Sequence, residues 1–271
     1  MTGSSPIDFA TIWHWLLAYG LALSRPTAML AVNPVFTRAQ ITGLIRGCVA
    51  TALALPMVPV VVETLPSDGV SLISLMILGG KEAAIGAALG LLLGIPFWAL
   101  AVAGDVLDAQ RGATQGRLND PAGFEDVSVS GTMLIIASIA VFVATGGLIT
   151  LAQLLYASWA IWQPLGAFPN LDARMPLLLL HLLDSVTRQG LILALPPVIA
   201  MLLADAALLV TARIAPQLRI DDLALVLRNI TFFLVLPLYA LFLIGDIRHS
   251  FTILPDMLEL LRQAALPETS P

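Results

Sequence analysis

The run VSLISLMILGGKEAAIGAALGLLLGIPFWALAVAG, Val70 to Gly104, decides the fold. Crossing roughly 30 Å of bilayer hydrocarbon takes about 20 apolar residues in a helix, so this stretch is too long for one crossing. Gly79, Gly80, Lys81 and Glu82 stand inside it. It therefore reads as a bent helix or a hairpin. Val129 to Trp162 and Met175 to Ala212 are overlong in the same way. In the second of these Asp184, Arg188 and Gly190 interrupt the apolar character, and Pro196 and Pro197 are expected to kink or end a helix. Three further runs, Ile12 to Val32, Thr42 to Val62 and Leu223 to Gly245, have the length of ordinary spans. The fold class that follows is all-α: one polytopic membrane domain over residues 1–271, built of broken helices and helical hairpins. Irregular backbone at membrane depth survives only where protein or a water-filled cavity covers its peptide groups, which points to a multi-subunit assembly or a channel.

Composition carries the same message. Hydrophobic residues make up 58% of the chain and charged residues 11%, against about 25% charged in soluble domains, and the mean hydropathy is +0.92. With 13 basic and 18 acidic side chains the net charge is -5, so no basic field exists to hold a nucleic-acid backbone. Cys48 is the only cysteine, and His14, His181 and His249 are widely scattered. This excludes an internal disulfide and argues against a metal site. Met1 to Ala10 has no Lys or Arg ahead of the first apolar run, so that run reads as a retained membrane segment. Arg38 and Arg46 on the first connection, with no basic residue from Glu63 to Gly69, suggest an outside N-terminus and a cytoplasmic first loop. Later connections nearly all carry arginine, and the rule stops discriminating there.

One polar stretch stands apart, GDVLDAQRGATQGRLNDPAGFEDVSVS from Gly104 to Ser130. The tail from Leu254 to Leu266 places Met257, Leu258, Leu261, Ala264 and Ala265 on one helical face, as for a surface-lying amphipathic helix. Gly86, Gly90 and Gly94 recur every four residues, the spacing that lets two helix backbones approach closely. Glu82 continues that stripe, and the partner helix is left open. Lys81 and Glu82 are about 100° apart around a helix, so they are expected not to face each other as a pair, and each to need its own partner or water. Either charge could equally mark a functional position or sit at a hairpin tip. Asp205 lies within an apolar run with Arg213 eight residues on, near the same face but about 12 Å away along the axis, and a proton-relay or inter-subunit role stands beside that of a solvated cavity wall. Asp184 and Arg188 have the order of an i, i+4 ion pair. Asp105 and Asp108 could share a face as an acid–base pair, but Arg111 on that face can neutralise Asp108. No catalytic residues, metal ligands or cofactor site are assigned.

KEAAIGAALGLLLGIPFWALAVAGDVLDAQRG, Lys81 to Gly112, resembles the T subunit family of the type III secretion export apparatus in its injectisome branch, and more distantly the flagellar counterpart FliR. A second block, LPPVIAMLLADAALLVTARIAPQLRIDDLALVLRN from Leu195 to Asn229, is similar through Pro197, Asp205, Arg213, Pro216 and Gln217. Asp108, Gln110, Arg111 and Gly112 favour the injectisome branch. The resemblance implies a multi-pass protein of the bacterial inner membrane. It implies assembly with R and S subunits into a pore for unfolded substrate proteins, with U and V subunits nearby. It also implies that the loop at about 104–124 is a plug, carried by Gly104, Asp108, Gln110, Arg111, Gly112, Gly116, Arg117, Asp120 and Pro121. On that reading Gly112, Gly116 and Gly123 give the loop freedom, while Asp108, Arg111, Arg117 and Asp120 hold it through polar contacts with neighbouring subunits. Lys81, Glu82, Gly86, Gly90, Gly94, Asp205, Arg213, Pro216 and Gln217 would serve packing and assembly. Two other readings stay open: a proton-coupled secondary transporter using Glu82 and Asp205, and a structural scaffold in which the polar loop is only a connection.

Overall fold

The computed structural model describes residues 9–38, 41–66, 71–112, 128–166, 175–214 and 220–252. Among them there is no strand. The helices in chain order are α1 (Phe9–Val32), α2 (Pro34–Thr37), α3 (Gly43–Ala54), α4 (Val58–Thr64), α5 (Leu72–Arg111), α6 (Val129–Ala144), α7 (Gly147–Ile161), α8 (Met175–Ile214) and α9 (Ile220–Thr252), with a 3-10 turn at Leu55–Met57. Among the described residues five helical segments are long and apolar enough to cross a membrane: Thr11–Val32, Gly43–Thr64, Leu72–Arg111, Leu183–Ile214 and Leu223–Gly245. Packing divides the chain into two compact units. One comprises Met1–Gly94, Leu148–Met175 and Leu254–Pro271, the other Ile95–Gly147 and Pro176–Ile253.

In the first unit α1 forms an antiparallel hairpin with α3 and α4. The register runs backwards along the partner: His14 meets the Val62 carbonyl at 3.1 Å, and Tyr19 shares a hydrogen bond with Thr51 at 2.9 Å. Proline at positions 56 and 59 explains the 3-10 turn between α3 and α4, since each removes a helix donor and crowds the preceding turn. Ala18, Leu21, Ala22, Ala54, Val58, Val61 and Leu65 form the buried seam. The glycine stripe of α5 lies on the backbone of α1. A methyl group at Gly86 would overlap the Arg25 carbonyl, and one at Gly90 would stand 2.5 Å from the Met29 carbonyl oxygen. The partner helix left open by the sequence is thus in the same chain. Gly94 is buried as well.

In the second unit Ala99, Leu100, Ala103 and Leu107 of α5 pack with Leu134, Leu193, Ala194, Met201, Phe232, Tyr239 and Leu243. Backbones again approach through glycine: Gly104 lies against Gly131 of α6, and Gly190 of α8 against Val102 and the Ala99 carbonyl. The opposite side of α9 stays apolar and uncovered, with Leu234, Leu238 and Leu241 70–75% exposed at i, i+4, i+7 spacing. In water such a patch would mark an interaction site or a liability; on a membrane helix it faces lipid or another apolar chain.

Two of the three overlong runs are single helices of 40 residues, α5 and α8, rather than hairpins. Helix α5 runs through Gly79 and Gly80 because a helix-interior glycine costs only about 1 kcal/mol and the adjacent charges have buried partners. Helix α8 runs through Pro196 and Pro197, which apolar surroundings tolerate when neighbouring groups satisfy the freed carbonyls. The third run does break: α6 ends at Ala144 and α7 begins at Gly147, and Gly146 adopts φ +81°, a left-handed conformation that glycine holds without strain.

Candidate functional site: buried charged clusters

Three charged groups are sealed inside the first unit. Arg25 of α1 and Glu82 of α5 are both 0% exposed, and Lys81 is 1% exposed. Arg25 grips Glu82 with two prongs, Nε to Oε2 at 2.8 Å and Nη2 to Oε1 at 3.0 Å, the bidentate form that adds geometric specificity to charge. Its Nη1 donates to Ser158 Oγ at 2.9 Å, and Nη2 also donates to the Trp162 carbonyl at 2.8 Å. The guanidinium carbon stands 5.4 Å from the centre of the Trp159 ring, within cation–π range.

Lys81 meets a different need. Buried carbonyl oxygens in a turn need donors as much as a buried ammonium needs acceptors. Just past the end of α7 the Lys81 ammonium donates to the carbonyls of Gln163, Pro164 and Gly166 at 2.8, 2.7 and 3.1 Å. Lys81 and Glu82 have separate principal partners, but the expectation that they cannot face each other as a pair is corrected. They also meet each other, Nζ to Oε1 at 3.4 Å, because the long lysine stem reaches around the helix. Full burial overturns the hairpin-tip alternative.

The second unit holds its own cluster where α5 ends and α6 begins. Asp108 and Arg111 are 4% and 8% exposed and form an i, i+3 ion pair. The other Asp108 oxygen, Oδ2, accepts from Ser128 Oγ at 2.8 Å and from the Ser130 backbone N–H at 3.0 Å. Arg111 Nη2 donates to Ser130 Oγ at 2.7 Å, and the guanidinium lies over the Phe232 ring at 4.3 Å. Ser128 caps α6 by accepting from the Gly131 N–H at 2.9 Å. Gly112 ends α5 at φ +71°. Asp108 and Arg111 therefore have hydrogen-bond partners within their own chain. Asp105 is exposed, whereas Asp108 is buried with both oxygens engaged by Arg111, Ser128 and Ser130.

Asp205 finds its cation on another helix. Arg228 of α9 donates through Nε to both its oxygens at 2.8 and 2.9 Å, and Arg228 Nη1 reaches the Gln110 carbonyl at 3.5 Å. Arg213 is exposed at the end of α8 and is not the partner. Asp184 and Arg188 are both exposed, with no ion pair between them among the described residues. Gly116, Arg117, Asp120, Pro121, Gly123, Pro216, Gln217 and the tail at 254–266 lie outside the described residues.

Sequence reasoning missed Arg25, Arg228, Ser128, Ser130 and Ser158. Some signal was present: Arg25 is a charge inside an apolar run, and Ser-x-Ser at the start of one is an N-cap pattern. Chemically, each cluster holds its charges against opposite charges and fixed hydrogen-bonding groups, the first with two cations around one carboxylate and carbonyl oxygens on Lys81. Such an interior locks helices together.

These features define a helical, multi-pass membrane protein with charged groups buried between its helices. The chain belongs to the bacterial export proteins, family 1, whose pattern matches residues 16–253. It is 30% identical over 247 residues to Yop proteins translocation protein T of Yersinia pestis, covering 91% of this chain and 94% of that one. Surface presentation of antigens protein SpaR of Salmonella typhimurium is 30% identical over 84% of both chains. Flagellar biosynthetic protein FliR of Pectobacterium carotovorum subsp. carotovorum is 28% identical, with 90% of this chain and 94% of that one covered.

Proposed function

We propose that this chain is a subunit of the export gate of a type III protein secretion system in the bacterial inner membrane. It assembles there with R and S subunits into the pore that unfolded substrates enter, with U and V subunits nearby, and it is not an enzyme. The observation that carries this reading is the likeness to a translocation protein over 91% of the chain. The uncovered apolar face of α9 suits a protein packed among lipid and other helices. The polar connection after α5 acts as a plug in the closed pore, with its ends anchored in the Asp108 cluster.

The proton-coupled transporter reading loses its two carriers. Glu82 is enclosed by Arg25 and Lys81, Asp205 is held by Arg228, and the family is one of export proteins.

The test is co-purification of the tagged chain in mild detergent, from cells expressing it with and without the R and S subunits. A stable joint complex is expected. A well-behaved lone protein, indifferent to those subunits, would overturn the reading.

A further inference from the structure

We propose that Asp108 is the positioning residue of the α5–α6 connection, one carboxylate that holds the two ends of residues 113–127 in register. Its two oxygens divide the task. Oδ1 takes the guanidinium of Arg111, which precedes the connection, and Oδ2 takes the Ser128 hydroxyl and the Ser130 N–H, which follow it. An i, i+3 pair alone could form in any isolated helix, and it would leave α6 free. Here the cation is shared as well, since Arg111 Nη2 also donates to Ser130 Oγ at 2.7 Å.

The backbone explains why an aspartate stands at this position. Gly104 and Gly131 touch main chain to main chain, and Asp108 lies one turn beyond that crossing on α5. The short side chain therefore arrives at the first turn of α6, where unpaired N–H groups attract an anion. Phe232 closes the other side under the Arg111 guanidinium, and the site is nearly sealed from solvent. Glycine fixes how closely the helices approach, and Asp108 fixes how they are rotated and where the connection leaves and returns.

The functional arm of this inference rests on the export-gate reading; the structural arm does not. In a Cys48→Ser background, spin labels at Asp105→Cys and Met133→Cys, both exposed on the flanking helices, report the α5–α6 distance in the detergent-purified full chain. The otherwise native chain is expected to give a single narrow distance. Asp108→Asn is expected to lose it for a broad distribution, while still co-purifying with the R and S subunits. Retention of the assembly separates positioning from general destabilisation. Should Asp108→Asn yield no folded chain, Ser128→Ala, which removes one Oδ2 contact and the α6 cap, decides the matter through partial broadening. A native distance in the folded aspartate variant, or in Ser128→Ala if only that one folds, would overturn the proposal. Failure of the native chain to join R and S subunits would sink the export-gate reading and leave the distance result standing.

Discussion

Glu82 is the only anion among the three buried charges of its cluster. Glu82→Gln keeps the shape and one acceptor but leaves Arg25 and Lys81 without a counter-charge, and stripping one partner from a buried pair costs about 3–5 kcal/mol. The variant is expected to unfold at markedly lower temperature in detergent; an unchanged midpoint would mean the cluster is hydrated. A paired glycine comparison sharpens the packing claim. Gly86→Ala forces a methyl group into the Arg25 carbonyl, whereas Gly80→Ala meets nothing within 4 Å. The first is expected to destabilise the chain, and the second to be neutral or to add up to about 1 kcal/mol through helix propensity, both read by thermal unfolding. The stripe Glu82, Gly86, Gly90 was legible because it repeats every turn of one helix. Arg25 was not, because its pairing with Glu82 bridges 57 positions of sequence and no local pattern encodes that distance.

Helices α5 and α8 show where element-scale reading fails. Charges and glycines inside an apolar run look like interruptions when a helix is considered alone. In α5 the charges cease to be so once Arg25 and the turn after α7 satisfy Glu82 and Lys81. The α6–α7 break is different in kind, since its cause is local. Gly146 has no atom within 4 Å of where a side chain would start, yet its φ is +81°. Any penalty for Gly146→Ala is therefore conformational, roughly 1–2 kcal/mol for a left-handed L-residue. A matching fall in the unfolding midpoint is expected. An unchanged one would mean that the two helices can join without this turn.

At the scale of the whole molecule, composition alone announced a membrane protein, and two sequence blocks announced its family. The polar run from Gly104 to Ser130 was also visible as an anomaly. What stayed hidden was that its ends are tied by Asp108, because the tie needs α5 and α6 to cross at Gly104 and Gly131. If the connection plugs the assembled pore, Arg111→Ala or deletion of Thr114 to Asn119 should raise small-ion leak across membranes containing the complex. Unchanged leak in a verified assembly would reduce the connection to a plain link, as the scaffold reading holds.

The turn after α7 has one further consequence. Three carbonyl oxygens converge within 3.1 Å of the Lys81 nitrogen, with a Glu82 oxygen at 3.4 Å, an oxygen-lined nest of the kind that in ion channels replaces the hydration shell of potassium. Here the cation is covalently tethered to the chain. The nest is occupied whatever salts the two sides of the membrane contain, so this turn keeps its shape without drawing on ions from its surroundings.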